Sequence, residues 1–333
     1  MMLYLNMTAK ATLGKVLLKN VSQIEINESI LEMSNTAKIT IPKGFSKLDQ
    51  KSILEYFAVG DPVTIEAGYY RDDVYDVQRE FTGFIREIES DIPLVIHCDD
   101  ETYPLRQNNN VKSYQGEVTL KQVLTDIITK PMVFECPDVN LGRFQLDNES
   151  SFQVLQRIKT DYGLYSRLQK GVLKVNLRDI VSGGDIKEVH TYTINPVTSE
   201  CSLVKKNELK FKRKEDYKLQ VKVTSMLTSG KKTTIEVGNK EKDASVIQIT
   251  YPGKYTEAQL KTYATNIYNQ RCYDGYTGSI TGFGSPRTHA GDALVIEDKA
   301  EPDRGGKYMI EKVVITYDES SGFSRQNTLS YKI

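Results

Sequence analysis

A short stretch of this chain occurs twice. Gly60-Asp61-Pro62-Val63-Thr64-Ile65-Glu66 parallels Gly291-Asp292-Ala293-Leu294-Val295-Ile296-Glu297, and in both a Gly-Asp turn opens a run whose alternate residues are β-branched or aliphatic. A polar loop follows each, Arg71-Asp72-Asp73 in the first and Pro302-Asp303-Arg304-Gly305-Gly306 in the second. Each loop leads to a further alternating run, Phe81 to Ile88 or Tyr308 to Ile315. Alternation with period two is what a strand half-buried against a core requires, because successive side chains point to opposite faces. The repeat therefore predicts two related β regions, one near each end of the chain, with chance similarity between hairpins as the competing explanation.

The rest of the chain fits around that frame. Ile24-Glu25-Ile26, Ala37 to Ile41 and Leu94 to Cys98 also alternate, so residues 1–106 read as an antiparallel meander of about six strands. The polar run Gln107-Asn108-Asn109-Asn110 marks a boundary. From Thr119 to Ile128 the apolar residues fall at i, i+3, i+4, i+7 and i+8, one face of a helix. A second helix is expected from Ser151, with Phe152, Leu155 and Ile158 inside and Gly163 as its left-handed stop. A hairpin over 164–175 completes a small α+β unit spanning 107–183. Strands then resume, and residues 184–240 and 276–333 are read as the second β region. Between them, at 241–275, a helical insertion opens on a capping box of Thr256 and Gln259 and carries Leu260, Tyr263, Ala264, Ile267 and Tyr268 as its stripe.

Composition narrows the function. The chain has 333 residues, enough for two or more domains. Its 44 basic and 44 acidic residues leave no net charge, which argues against sequence-specific or general nucleic-acid binding, where phosphate neutralisation needs a basic excess. Cys98, Cys136, Cys201 and Cys272 are widely spaced and read as free thiols, not as a disulfide framework. Met1-Met2-Leu3-Tyr4-Leu5-Asn6 lacks the pattern of a secretory signal, and no apolar run is long enough to span a membrane.

Four groups of residues invite a chemical reading. His97 and Asp99 with their acidic neighbours are residue types that ligate metals, but two or three such residues at a strand end rarely make a site. Glu297, Asp298, Glu301 and Asp303 lack the spacing of a calcium loop. Glu87 and Glu89 resemble a glycosidase acid pair, yet lie beside Arg86 on an amphipathic strand. Ser285 and His289 form no recognised nucleophile motif. The 20 Tyr are scattered and are expected at core edges and subunit contacts. The expectation is a non-enzymatic protein with no metal and no cofactor.

The order of these parts is similar to a known family. A β region opening on Gly-Asp is followed by a small α+β unit and a second β region interrupted by a helix. The chain then carries Ala290-Gly291-Asp292, Gly306-Lys307-Tyr308 and a final hairpin. This order resembles the baseplate hub proteins of contractile phage tails, including the late control protein D family, and the N-terminal, hub-like half of type VI secretion spike proteins. The resemblance implies an α+β, mainly β fold with two tube-like antiparallel β-barrel domains. It further implies a homotrimer forming a pseudo-hexameric ring that connects a tail tube protein to a spike, in a virion tail baseplate or injection apparatus assembled in the bacterial cytoplasm. No repetitive needle sequence precedes Ile333, so the spike is expected as a separate partner. The runner-up expectation is a carbohydrate-binding or hydrolytic accessory protein of the same tail.

Charge is unevenly distributed. Acidic residues gather over 86–101 and basic ones over 205–218. Glu87, Glu89, Asp99 and Asp100 on one side, and Lys210, Lys212, Arg213 and Lys214 on the other, are candidate subunit-contact charges. Gly60, Asp61, Gly291 and Asp292 are the candidate structural turns of the repeat.

Overall fold

The computed structural model describes residues 6–19, 21–42, 47–48, 51–52, 55–71, 74–89, 93–169, 171–177, 186, 188–196, 203–226, 231–252 and 255–333. Thirteen strands join into one sheet. The first region contributes β1 (Asn6–Leu13), β2 (Val16–Leu18), β3 (Gln23–Ser29), β4 (Thr36–Ile41), β5 (Pro62–Arg71), β6 (Val74–Glu89) and β7 (Leu94–Asp99). The second contributes β8 (Val189–Ile194), β9 (Val204–Lys212), β10 (Gly275–Phe283), β11 (Ala293–Asp298), β12 (Gly306–Asp318) and β13 (Gly322–Lys332).

The lateral order is β9-β10-β13-β12-β3-β4-β7-β6-β5-β1-β2, with β11 also paired to β12 and β8 paired to β11. Within this sheet, among the described residues, only the β8–β11 pair is parallel. The fold is thus mainly β and dominated by antiparallel pairing. β12 explains how the two regions meet. Its first residues pair with β11, Gly306 opposite Ile296 and Met309 opposite Ala293. Its last seven pair with β3, from Lys312 opposite Ser29 to Asp318 opposite Gln23. One long strand therefore completes the second region and stitches it edge-on to the first.

Alternation fills a single core between the regions. Ile24, Ile26, Ile39, Ile65, Ile85 and Ile96 from the first, and Tyr192, Ile280, Leu294, Ile310 and Val313 from the second, are buried in one continuous cluster. Each such side chain stabilises the fold by about 1.5–3 kcal/mol when fully buried.

A second core holds the helices α1 (Leu120–Ile127), α2 (Ser151–Tyr162) and α3 (Glu257–Arg271). Each starts on a complete capping box, Thr119 with Gln122, Ser150 with Gln153 and Thr256 with Gln259. The cap of α2 is Ser150, one residue ahead of expectation, and the Ser151 hydroxyl instead donates to the Ile127 carbonyl. Val154, Leu155 and Ile158 face inward, while Phe152 is half-buried with the Arg106 guanidinium 3.4 Å above its ring centroid.

The helical insertion is larger than the sequence suggested. Leu219–Met226 pairs with Lys232–Gly238 and with Ser245–Pro252 in a separate three-stranded sheet. Leu219, Val221 and Val223 pack in the same core as Leu260 and Ala264 of α3 and the middle unit. Strands 219–238 were expected in the second β region. Period two identifies a strand but carries no information about which sheet it joins. Among the described residues, no helix is long and apolar enough to cross a membrane.

Candidate functional site: two corners and an ionic junction

The repeated Gly-Asp turns share one backbone frame. Gly60 has φ +93° and Gly291 φ +94°, a region that glycine enters without a Cβ penalty. The Gly60 N–H donates to the Ile85 carbonyl at 2.8 Å and the Ile85 N–H to the Asp61 carbonyl at 2.9 Å. At the other corner Gly291 donates to Ile310 and Ile310 to Asp292, both at 2.9 Å. Both aspartates also donate backward at 3.1 Å, Asp61 to the Ala58 carbonyl and Asp292 to that of His289. The Oδ2 atoms then accept the reverse bond at 2.8 Å, from Ala58 N–H and His289 N–H. Each corner thereby ties the start of one strand, β5 or β11, to the middle of the next, β6 or β12.

Around the second corner the chain from Gly284 to Asp292 forms the junction of the molecule. Arg325, fully buried on β13, donates from Nε to the Gly284 carbonyl at 2.8 Å, from Nη1 to the Thr288 carbonyl at 3.2 Å and from Nη2 to Glu80 Oε1 at 2.7 Å. Arg287 reaches the same Glu80 oxygen at 3.2 Å and the Arg79 carbonyl at 2.8 Å. The Gly284 N–H donates to the Tyr69 hydroxyl at 3.0 Å. His289 Nδ1 lies 3.1 Å from each oxygen of Glu28, and the Ala290 N–H donates to Glu28 Oε2 at 3.2 Å. His190 Nε2 is 3.2 Å from Asp292 Oδ2. Arg167, from the middle unit, approaches the Ala290 carbonyl at 3.4 Å. The loop is therefore held by the first β region, the second and the middle unit at once.

Burial alone would raise the Glu28 pKa, but the His289 hydrogen bond and charge and the Ala290 N–H bring it below the ordinary 4.5. Burial opposes the charged His289 imidazole, yet the hydrogen bond and charge of Glu28 raise its pKa above 6.5. For Asp292, burial is likewise outweighed by His190 and the His289 N–H, and its pKa is lowered.

The candidate contact charges divide. Asp99 is fully buried between Arg86, at 3.0 Å, and Arg106. Asp100 is half-buried, its carboxyl accepting from Asn35 N–H at 2.7 Å, Thr102 Oγ1 at 2.7 Å and Ser34 Oγ at 3.2 Å. Burial raises its pKa despite those bonds. Asp99 is thus enclosed within the chain and Asp100 half-buried, because the chain after β7 folds back over them through the short helix Tyr103–Arg106. Lys212 is also engaged, donating to the Arg271 carbonyl at 2.8 Å with its ammonium 3.6 Å from the Tyr273 ring centroid. Glu89 pairs with His97 at 2.7 Å and Arg213 with Glu215 at 3.4 Å. Glu87, Lys210 and Lys214 are exposed.

The chemical candidates are occupied by structural work. His97 turns to Glu89 and Asp99 to its two arginines, so the pair shares no focus. Asp298 accepts from the Tyr276 hydroxyl, from Asn195 at 3.1 Å and from the Ala300 and Glu301 N–H groups at 3.0 and 3.1 Å, which makes it the cap of a hairpin turn. His289 is spent on Glu28, not on Ser285. No group of three His, Cys, Asp or Glu among the described residues is arranged to hold a metal ion. Cys98, Cys136 and Cys272 are unpaired, and Cys201 lies outside the described residues. Three tyrosines do cluster: Tyr251, Tyr255 and Tyr263 have centroids 5.8–6.0 Å apart, packed between the small sheet and α3.

Sequence reasoning missed Arg325, Glu80, Arg287 and Glu28. One signal was present. On β13 the inward positions run Phe323, Arg325, Asn327, Leu329, so an arginine and an asparagine stand in core register and require buried partners.

A scan against protein-family models finds no match, and no curated protein sequence matches. Solved structures do. The tail protein of Neisseria meningitidis MC58 is 13% identical with a TM-score of 0.60, covering 97% of this chain and 96% of that one. The 43 kDa tail protein of prophage MuSo2 from Shewanella oneidensis is 15% identical with a TM-score of 0.61, covering 97% and 98%. The E. coli c3393 protein, a type VI secretion component described as similar to phage T4 tail proteins gp27 and gp5, is 12% identical with a TM-score of 0.54, covering 97% and 77%. The chain has the fold of these phage tail and secretion proteins along nearly its whole length.

Proposed function

We propose that this chain is a structural baseplate hub of a phage tail or related contractile injection apparatus. Three copies close into a ring of six similar β regions, which joins a tail tube to a spike. Its role is geometric, not catalytic, and it works in the virion tail or injection apparatus after assembly in the bacterial cytoplasm. The observation that carries the reading is the duplicated corner, with donor–acceptor distances matching within 0.1 Å at Gly60–Asp61 and Gly291–Asp292. Two similar edges per chain are what a three-copy ring needs to meet a six-fold partner. The fold similarity to tail proteins over 97% of the chain supports it.

The decisive measurement is solution mass by light scattering. A stable species of three times the 37.7 kDa chain mass is expected. A monomer that persists at every concentration tested would overturn the proposal.

A further inference from the structure

All three histidines of the chain sit against carboxylates, His97 on Glu89, His190 on Asp292 and His289 on Glu28. Two of them belong to the junction, and one bridges the β regions directly. We propose that the loop 284–292 is a proton-dependent clasp: charged His289 ties it to Glu28 of the first region, and neutral His289 lets it loosen. The inference concerns a switch within one chain and does not depend on the hub reading.

The geometry sets up the dependence. Glu28 lies on β3, and its carboxylate meets both His289 Nδ1 and the Ala290 N–H. The side chains are mostly enclosed, with 30% of His289 and 13% of Glu28 exposed, so water screens the pair only partly. Several of the elements packed here present a charge, while β5 offers the Tyr69 hydroxyl. Glu80 comes from β6, Arg325 from β13, Arg167 from the middle unit, His190 from β8 and Asp292 from the loop itself. Arg287 in the loop is held by Glu80. Arg325 shares Glu80 with Arg287, so its charge opposes the His289 imidazolium while Glu80 favours it, and Glu28 is the carboxylate in contact with the His289 ring. A neutral imidazole keeps at most one hydrogen bond to Glu28 and loses the charge attraction.

The sign follows from the shifts. A raised histidine contributes stability that is complete below its unfolded value of 6.5 and disappears as pH rises through the folded value. The lowered carboxylates of Glu28 and Asp292 work oppositely, contributing above 4.5 and 3.8 and failing only as pH falls through their depressed folded values. The clasp is therefore tightest between the two titrations and opens on the alkaline side.

The duplicated corner supplies an internal control, since the Ala58 N–H is held by Asp61 in the same frame with no histidine. Hydrogen exchange of the intact chain, followed by mass spectrometry from pH 6 to 8.5 and corrected for intrinsic rates, compares peptides over 284–292 and 55–61. The expected result is acceleration of about three- to tenfold in 284–292 alone. In His289→Gln, whose amide donates without titrating, the two corners should respond alike. Glu28→Gln should also remove the pH dependence. If either variant fails to fold, the C2–H titration of the histidines in the unmodified chain decides. Equal acceleration at both corners, or a His289 midpoint at or below 6.5, would refute the clasp.

Discussion

The Gly60–Asp61 and Gly291–Asp292 corners have the same backbone and opposite surroundings. At the first, the aspartate does local work: it accepts the Ala58 N–H and holds its own turn. At the second, the same bond exists, but the turn is embedded in Glu28, Glu80, Arg287, Arg325, His190 and Arg167. One corner shapes a hairpin, while the other fastens three parts of the chain together. A duplicated motif supplies geometry, and what the second copy adds is electrostatics recruited from residues far away in sequence.

The largest expected effect tests that addition. Arg325→Met removes a fully buried guanidinium and leaves Glu80 without its shortest contact. Stability should fall by about 3–5 kcal/mol in denaturant unfolding, the range for breaking a buried pair from one side. The half-exposed Lys10–Glu66 pair of the first region should lose less than about 1 kcal/mol on Lys10→Met. Comparable losses at the two places would mean that the junction is no more than surface decoration.

The backbone frame is tested by a matched pair. A Cβ on Gly60 would come no closer than 3.5 Å to the Tyr103 hydroxyl, and one on Gly291 no closer than 3.6 Å to Arg167 or Ile30. Neither clashes, so only the positive φ is penalised. Gly60→Ala and Gly291→Ala should each cost about 1–3 kcal/mol and agree with one another. A large disagreement would break the equivalence of the corners.

The aspartates separate frame from network. Asp292→Asn keeps an acceptor for the His289 N–H but removes the charge facing His190, at a side chain 1% exposed. A loss of about 1.5–3 kcal/mol is expected there, against less than about 1 kcal/mol for Asp61→Asn. The gap should narrow as pH falls through the lowered Asp292 pKa, where its charge is lost in both variant and parent.

These contrasts also mark what the sequence could disclose. The corners were legible because glycine, aspartate and a period-two run are local signals read within seven residues. The three α-helices of the described residues were legible through stripes and caps for the same reason. The junction was not, since His289 and Glu28 are 261 residues apart, Arg325 and Glu80 245, and Arg287 and Glu80 207. Nor was the partner of strand 219–226, because alternation shows that a strand has a buried face but not what covers it. The enclosure of Asp99 was not legible for a related reason: the covering segment follows it in sequence, and its polar residues resemble a solvated turn.

The smallest effects on folding fall on the charges that remain outside. With Asp99 enclosed, Asp100 and Lys212 half-buried and engaged, and Glu89 and Arg213 paired locally, Glu87, Lys210 and Lys214 are the exposed candidates without an ion pair among the described residues. Glu87→Lys and Lys210→Glu should each change unfolding stability by no more than about 0.5 kcal/mol, because an exposed charge far from a partner is screened by water and salt. If these charges meet across copies, each single reversal weakens the trimer at low salt, the double reversal restores it, and added salt erases the difference. Sedimentation of the four proteins at two ionic strengths reads all three outcomes. If the proposed trimer forms and is indifferent to every reversal, the proposed ring would be held by shape and backbone edges, which are the features that both corners share.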